Sequence, residues 1–156
     1  MRQFISLLAL CVLALTSTQA VSLPPEQRTI ITSDDFISGL LETVSYEKLA
    51  STKYTKSSTP VKGGGKMIRF TNGTNTFSCF KSQYNAFTAS FDITKPDPIL
   101  APLLNLGASK NEVLKKLGRA KSFDTVLVRD LEGMALATLT FQKGTLTKVS
   151  FRATID

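Results

Sequence analysis

Histidine and tryptophan are absent from this 156-residue sequence, and cysteine occurs only twice. Without an imidazole, Ser-His-Asp and Cys-His catalysis and histidine-ligated metal centres are excluded. Cys11 lies in the apolar N-terminal segment, so everything after it holds one thiol, Cys79. A disulfide within that remainder, a thiolate zinc site and a disulfide-dense scaffold all need more cysteines. Stability must come from an apolar core.

Long apolar runs are scarce too. The clearest is Phe4 to Leu15, interrupted only by Ser6. It covers about 12 residues, short of the roughly 20 that a bilayer-spanning helix requires. Arg2 precedes it, and the short polar stretch Thr16 to Ala20 follows, with small Thr18 and Ala20 where a signal peptidase reads. That order predicts a cleavable signal peptide over residues 1–20, with cleavage after Ala20 and a secreted or periplasmic product. The alternatives are a retained N-terminal anchor and a lipoprotein. For a lipoprotein, Cys11 is poorly placed, in mid-run with Leu10 before it.

The remainder, Val21 to Asp156, is the size of one domain. Formal net charge is +7, one less without Arg2. A surplus of that size aids solubility and attracts anionic surfaces weakly, and by itself does not imply nucleic acid. The expected product does not span a membrane.

Pro24-Pro25 favours an extended lead-in. Thr32-Ser33-Asp34-Asp35 reads as a helix start, with a hydroxyl cap and acids in the first turn. Phe36, Ile37, Leu40, Leu41, Val44 and Leu49 recur at helical spacing, predicting a helix over about Asp34 to Ala50 with a break near Ser45. Lys53 to Lys66 is polar, holds Pro60 and Gly63-Gly64-Gly65, and reads as a loop with at most one short strand. Met67 to Phe70 and Thr76 to Lys81 flank Asn72-Gly73, a dipeptide suited to a tight hairpin turn. Phe87, Ala89, Phe91 and Ile93 alternate with polar residues, as in a strand with one buried face.

In the second half, Pro102 precludes a long helix in the apolar stretch Ile99 to Leu106. Ser109-Lys110-Asn111-Glu112 is a capping box, opening a short helix that turns Val113, Leu114 and Leu117 inward and stops at Gly118. Strands follow over about Ser122 to Arg129, Met134 to Phe141 and Leu146 to Ile155. The halves also resemble each other. Phe70, Gly73, Thr74, Thr76 and Phe80 align with Phe141, Gly144, Thr145, Thr147 and Phe151, and Phe36 to Leu41 resembles Ile99 to Leu104. Hairpins use few residue types, so chance likeness is the alternative to duplication. The expected fold is α+β: two tandem repeats, 32–93 and 96–156, of short helices followed by antiparallel strands, with helices backing the sheet.

Gly107, Ser109, Glu112, Val113, Leu117 and Gly118, followed by three strands, form a pattern that resembles the SmpA/OmlA family of small bacterial envelope proteins. That family shares its fold with the secreted β-lactamase inhibitor protein. The resemblance covers about Ile99 to Asp156. Ala108 stands where the family usually has Met, Ala120 where Pro usually follows Leu-Gly, and the lipid-bearing cysteine of the lipoprotein members is missing. The matching residues are caps and core positions, so the resemblance implies a fold and not a site. A two-repeat form, as in the inhibitor protein, is what the duplication would imply.

Few residues invite chemistry. Gly63-Gly64-Gly65-Lys66 lacks the spacing, the following Ser or Thr and the helix of a phosphate-binding loop, so a plain loop is favoured. Lys53, Lys56, Lys62, Lys66, Arg69 and Lys81 form a run with no acid between Glu47 and Asp92. Lys53, Lys56, Lys62, Lys66 and Arg69 make up a candidate patch for an anionic partner, the alternative being a solvated loop. Cys79 reads as a small buried hydrophobe more readily than as a reactive thiol. Asp34-Asp35 fits the helix start, and Asp130 with Glu132 fits a turn at Gly133. Asn72-Gly73-Thr74 is a glycosylation sequon, relevant in a eukaryotic host.

No catalytic, cofactor-binding or metal-ligating set is assigned. An enzyme would have to use carboxylate or Ser-Lys chemistry, and no such residues converge in the sequence. The expected function is an exported binding module engaging a protein through the sheet face, with no cofactor and no nucleic acid. The alternative is a binder of a small apolar or anionic ligand held between helices and sheet.

Overall fold

A computed structural model describes residues 27–154. The proposed signal segment, 1–20, lies outside the described residues. Eight strands form one sheet: β1 (Arg28–Thr32), β2 (Thr55–Pro60), β3 (Lys66–Asn72), β4 (Asn75–Lys81), β5 (Ala86–Ile93), β6 (Thr125–Arg129), β7 (Ala135–Gln142) and β8 (Thr145–Ala153). Three short helices accompany them: α1 (Asp34–Thr43), α2 (Tyr46–Ala50) and α3 (Lys110–Lys116). The architecture is mixed α/β, mostly sheet with few helices. No helix among the described residues is long and apolar enough to cross a membrane.

Across the sheet the order is β1-β6-β7-β8-β5-β4-β3-β2. All pairings are antiparallel except β1 with β6, which is parallel. That corrects the expectation of antiparallel strands alone. β1, read from sequence only as an extended lead-in, runs beside a strand nearly a hundred residues later in the chain, and nothing local specifies that partner. The Lys53 to Lys66 stretch holds the one short strand that its reading as a loop allowed. Its polar residues form edge strand β2, where no buried face is required, so the strand has no alternation to detect.

Period-two alternation places Ile68, Phe70, Phe77, Cys79, Phe91, Val149 and Phe151 on one face, all nearly fully buried. The helices pack there: α1 against β6 and β7, α2 against β5, and α3 against β8. Phe36, Ile37 and Leu40 of α1, Leu49 of α2 and Val113 and Leu114 of α3 complete one apolar cluster. The Phe91 and Phe151 rings stack 5.4 Å apart where β5 meets β8.

Caps set the helix boundaries. Ser33 accepts from the Phe36 N–H at 3.3 Å, and Ser45 from the Lys48 N–H at 3.4 Å, which divides α1 from α2 at the expected break. The capping box of α3 forms as read. Ser109 Oγ accepts from the Glu112 N–H at 3.3 Å, and Glu112 Oε2 accepts from the Ser109 N–H at 3.0 Å. Gly118, with φ 64°, ends the helix: its N–H bonds Lys115 O and the Arg119 N–H bonds Leu114 O.

Candidate binding surface

The face opposite the helices carries the alternate residues of every strand. At its centre, Asp92 on β5 lies beside Ser150 on β8. Ser150 Oγ donates to Asp92 Oδ1 at 2.7 Å, and Arg152 donates to Oδ2 at 2.6 Å. Lys148 Nζ stands 3.4 Å from Oδ1. Arg152 also donates to the Phe91 and Phe151 carbonyls, which fixes its guanidinium over the sheet. Burial alone would raise the Asp92 pKa and is the largest single influence. Hydrogen bonds from Arg152 and Ser150, with the charges of Arg152 and Lys148, together outweigh it and hold the carboxyl below its usual value.

Apolar side chains flank this polar centre on the same face. Toward β2, Phe80 and Phe87 sit 5.4 Å apart with Phe87 39% exposed. Toward β1 lie Leu127, with Ile30 59% and Leu136 38% exposed. The surface is therefore a polar, charge-paired centre between two apolar patches.

The five basic positions singled out from the sequence do not converge. Lys53 precedes β2, and Lys62 lies in the turn after it. Lys56 pairs with Phe70, so it projects on the helix side, where its Nζ lies 5.6 Å from the Phe70 ring centroid. Lys66 shares that side, and Arg69, an odd number of residues away, projects from the other. The run is continuous in sequence but divided between two faces. Lys81, cross-strand from Lys66, lies 4.7 Å over the Tyr46 ring.

A buried polar cluster escaped sequence reasoning. Asp97, after β5, accepts hydrogen bonds from the Tyr54 hydroxyl, from Asn72 Nδ2 at 3.1 Å, from Asn75 Nδ2 at 2.9 Å and from the Ile99 N–H at 3.1 Å. Asn75, 1% exposed, also accepts from the Thr94 and Lys95 N–H groups. Burial, reinforced by Asp97 and partly opposed by Asn72, pushes the Tyr54 hydroxyl pKa up. The cluster clamps one end of the β3–β4 hairpin. The Asn72 amide nitrogen of the sequon donates to Asp97, so a glycan attached there would leave it a single N–H and place a sugar beside this cluster. The sequence signal was slight, a lone Asp between two prolines.

Asn72-Gly73 is not the turn dipeptide. Asn72 pairs with Asn75, leaving Gly73 and Thr74 as the loop, because Asn72 is needed in the strand to reach Asp97. The glycine triplet closes the β2–β3 turn, as a plain connection and not as a phosphate cradle. All three glycines have positive φ, and a Cβ on Gly65 would stand 2.8 Å from the Lys81 carbonyl oxygen. Cys79 is fully buried, 3.7 Å from Thr88 Oγ1, and burial raises its pKa, consistent with a packing role. Asp34 accepts from the Leu131 N–H at 2.7 Å, and Asp130 from the Ala135 N–H at 3.1 Å, so both carboxylates hold loops.

Open concavities border the helices. One of about 440 Å³ is lined by Leu104, Asn105, Ala108, Glu112, Val113, Lys115 and Lys116. Another of about 300 Å³ lies between α1 and the β6–β7 turn, lined by Asp34, Ile37, Ser38, Leu41 and Asp130 to Glu132. Neither contains a convergent set of polar groups aimed at one point. No family model, no curated protein and no solved structure matches this chain.

Proposed function

We propose that the chain is an exported, non-catalytic binding module that engages another protein through the open face of its sheet. The observation that carries this reading is the composition of that face, a charge-paired centre at Asp92, Ser150 and Arg152 flanked by exposed Phe87, Ile30 and Leu136. A broad polar surface with embedded aromatic and aliphatic anchors suits protein contact better than small-molecule capture, which favours enclosed apolar pockets. Binding to a small apolar or anionic ligand is the second reading, favoured by the cleft beside α3, where Lys115 and Lys116 border apolar Leu104 and Val113.

Export rests on the Arg2, Phe4 to Leu15 and Ala20 pattern. Likeness to the SmpA/OmlA family rests on Gly107 to Gly118. In support, Gly107 has φ 93°, Ser109 caps α3 and Gly118 ends it, so each matched polar or glycine position has a local structural duty. Duplication is supported by the β3–β4 and β7–β8 hairpins flanking β5 on its two sides, with Phe70 and Phe141 both buried near their turns. Against it, Phe36 to Leu41 is helical whereas Ile99 to Leu104 forms successive turns around Pro102.

The test passes envelope extract over immobilised protein, comparing the parent with Ser78→Glu and Thr138→Glu on the open face and with Lys116→Ala at the cleft. A protein retained by the parent and by Lys116→Ala but lost by the open-face variants supports the reading. Retention that depends on Lys116 and ignores the sheet face moves the site to the cleft. The mass of the exported product checks export, with an N-terminus near Val21 expected and an intact Met1 species opposing it.

A further inference from the structure

The two edges of the sheet are built differently. β2 (Thr-Lys-Ser-Ser-Thr-Pro) has only polar residues before Pro60, carries Lys56, and ends at that proline, which has no N–H to offer. Those are the usual devices that keep an edge strand from pairing. β1 (Arg-Thr-Ile-Ile-Thr) has no proline and no charge after Arg28, and shows Ile30 59% exposed.

The parallel ladder also fixes which backbone groups β1 presents outward. The Ser33 N–H bonds Arg129 O, so Ser33 faces β6, and by the alternation of a parallel pair so do Ile31 and Thr29. Ile30 and Thr32 then direct their N–H and C=O groups away from the sheet. We propose that β1 is a self-pairing edge, joining a second copy of this chain antiparallel about a two-fold axis at Ile30.

Self-complementarity points to a second copy. With Ile30 opposite its own counterpart, residues 28 and 32 face each other, so Arg28 meets Thr32 and never another Arg28. Outward-directed residues meet only outward-directed residues, which is the hydrogen-bonded register of an antiparallel pair. Ile30, Leu127 and Leu136 of the two copies would merge into one apolar strip across the seam.

Sedimentation of the purified chain over a range of concentrations tests the association, and a designed crosslink tests the register. The parent is expected to shift from monomer to dimer as concentration rises. Ile30→Lys and Ile30→Pro each act on an exposed, outward-facing position. Both are expected to weaken association by about tenfold or more while leaving the circular dichroism spectrum unchanged. Ser58→Lys on β2 should leave it unaltered. Ile30→Cys should give a disulfide-linked dimer under oxidised glutathione, since directly opposed residues lie within disulfide reach, whereas Ser58→Cys should give no more than the parent. A chain monomeric throughout overturns the proposal. So does a dimer indifferent to the Ile30 variants, or a monomer that uses β1 only to bind a foreign peptide.

Discussion

In the β3–β4 hairpin the loop residues are Gly73 and Thr74, with positive φ only at Gly73. In β7–β8 they are Lys143 and Gly144, positive at both. The first follows the angle pattern of a type II′ turn and the second that of a type I′ turn. Their fastenings differ as well. The first turn is held by side chains, as Asn72 and Asn75 converge with Tyr54 on buried Asp97. The second is held by backbone. The Gly107 N–H bonds Leu146 O, the Leu146 N–H bonds Ala108 O and the Lys110 N–H bonds Gly144 O, which lash the start of α3 to the hairpin. Backbone fastening survives most substitutions, whereas a buried side-chain cluster fails as a unit, so the first hairpin is the more vulnerable.

The largest expected effect follows from that difference. Asp97→Ala leaves the Tyr54 hydroxyl and the Asn72 and Asn75 amides without their acceptor, and should destabilise by about 3 kcal/mol or more in denaturant unfolding. A loss below that of any single second-hairpin variant would reverse the comparison. Next, Leu117→Ala beneath the end of α3 should cost about 2 kcal/mol, at the low end for a cavity because the site borders solvent. Ser109→Ala removes a cap while the backbone lashings remain, and should cost about 1 kcal/mol without altering partner binding. If Ser109→Ala abolished binding at unchanged stability, the segment would be a site and not a fastening.

Lys143 is the one described non-glycine residue with positive φ, at 50°. Lys143→Asn suits the type I′ geometry and should stabilise by about 0.5 kcal/mol in thermal unfolding. The smallest effect concerns Asp92, which joins β5 to the second hairpin. Its carboxyl titrates lower in the folded state than in the unfolded chain, so its stabilising contribution is present above the unfolded pKa. It is lost as pH falls through the lower, folded value. Melting temperature should therefore decline across the acidic range, and Arg152→Met should shallow that decline. An unchanged slope would show that the Asp92 pair contributes nothing across the β5–β8 seam.

Periodicity and caps made much of this legible. Alternation at Ala89 to Ile93 and again at Val149 to Phe151 marked strands with one buried face, now β5 and β8, whereas Phe87, read on the buried face, lies on the open one and Thr88 is buried, because a bulge against β4 shifts the register there. The Ser109 to Glu112 box and Gly118 set the limits of α3 because caps are contacts within a few residues. β2, with no buried face, had no pattern to fix its bounds, and Asn72 was wrongly assigned to the turn because its engagement with Asp97 is not a local contact.

The sequence by itself determined the one-sided strands, the short capped helices, the burial of Cys79 and the exclusion of imidazole chemistry. These depend on residue type and on neighbours close along the chain. Only the tertiary structure decided that β5 pairs with β8, that β1 runs parallel to β6, that Asp92 finds Ser150 and Arg152, and that the lysine run is divided between two faces. Each depends on which distant strands lie side by side. Strand pairing uses the same backbone groups everywhere, so its partners are chosen by the collective burial of the whole apolar cluster and not by any local segment.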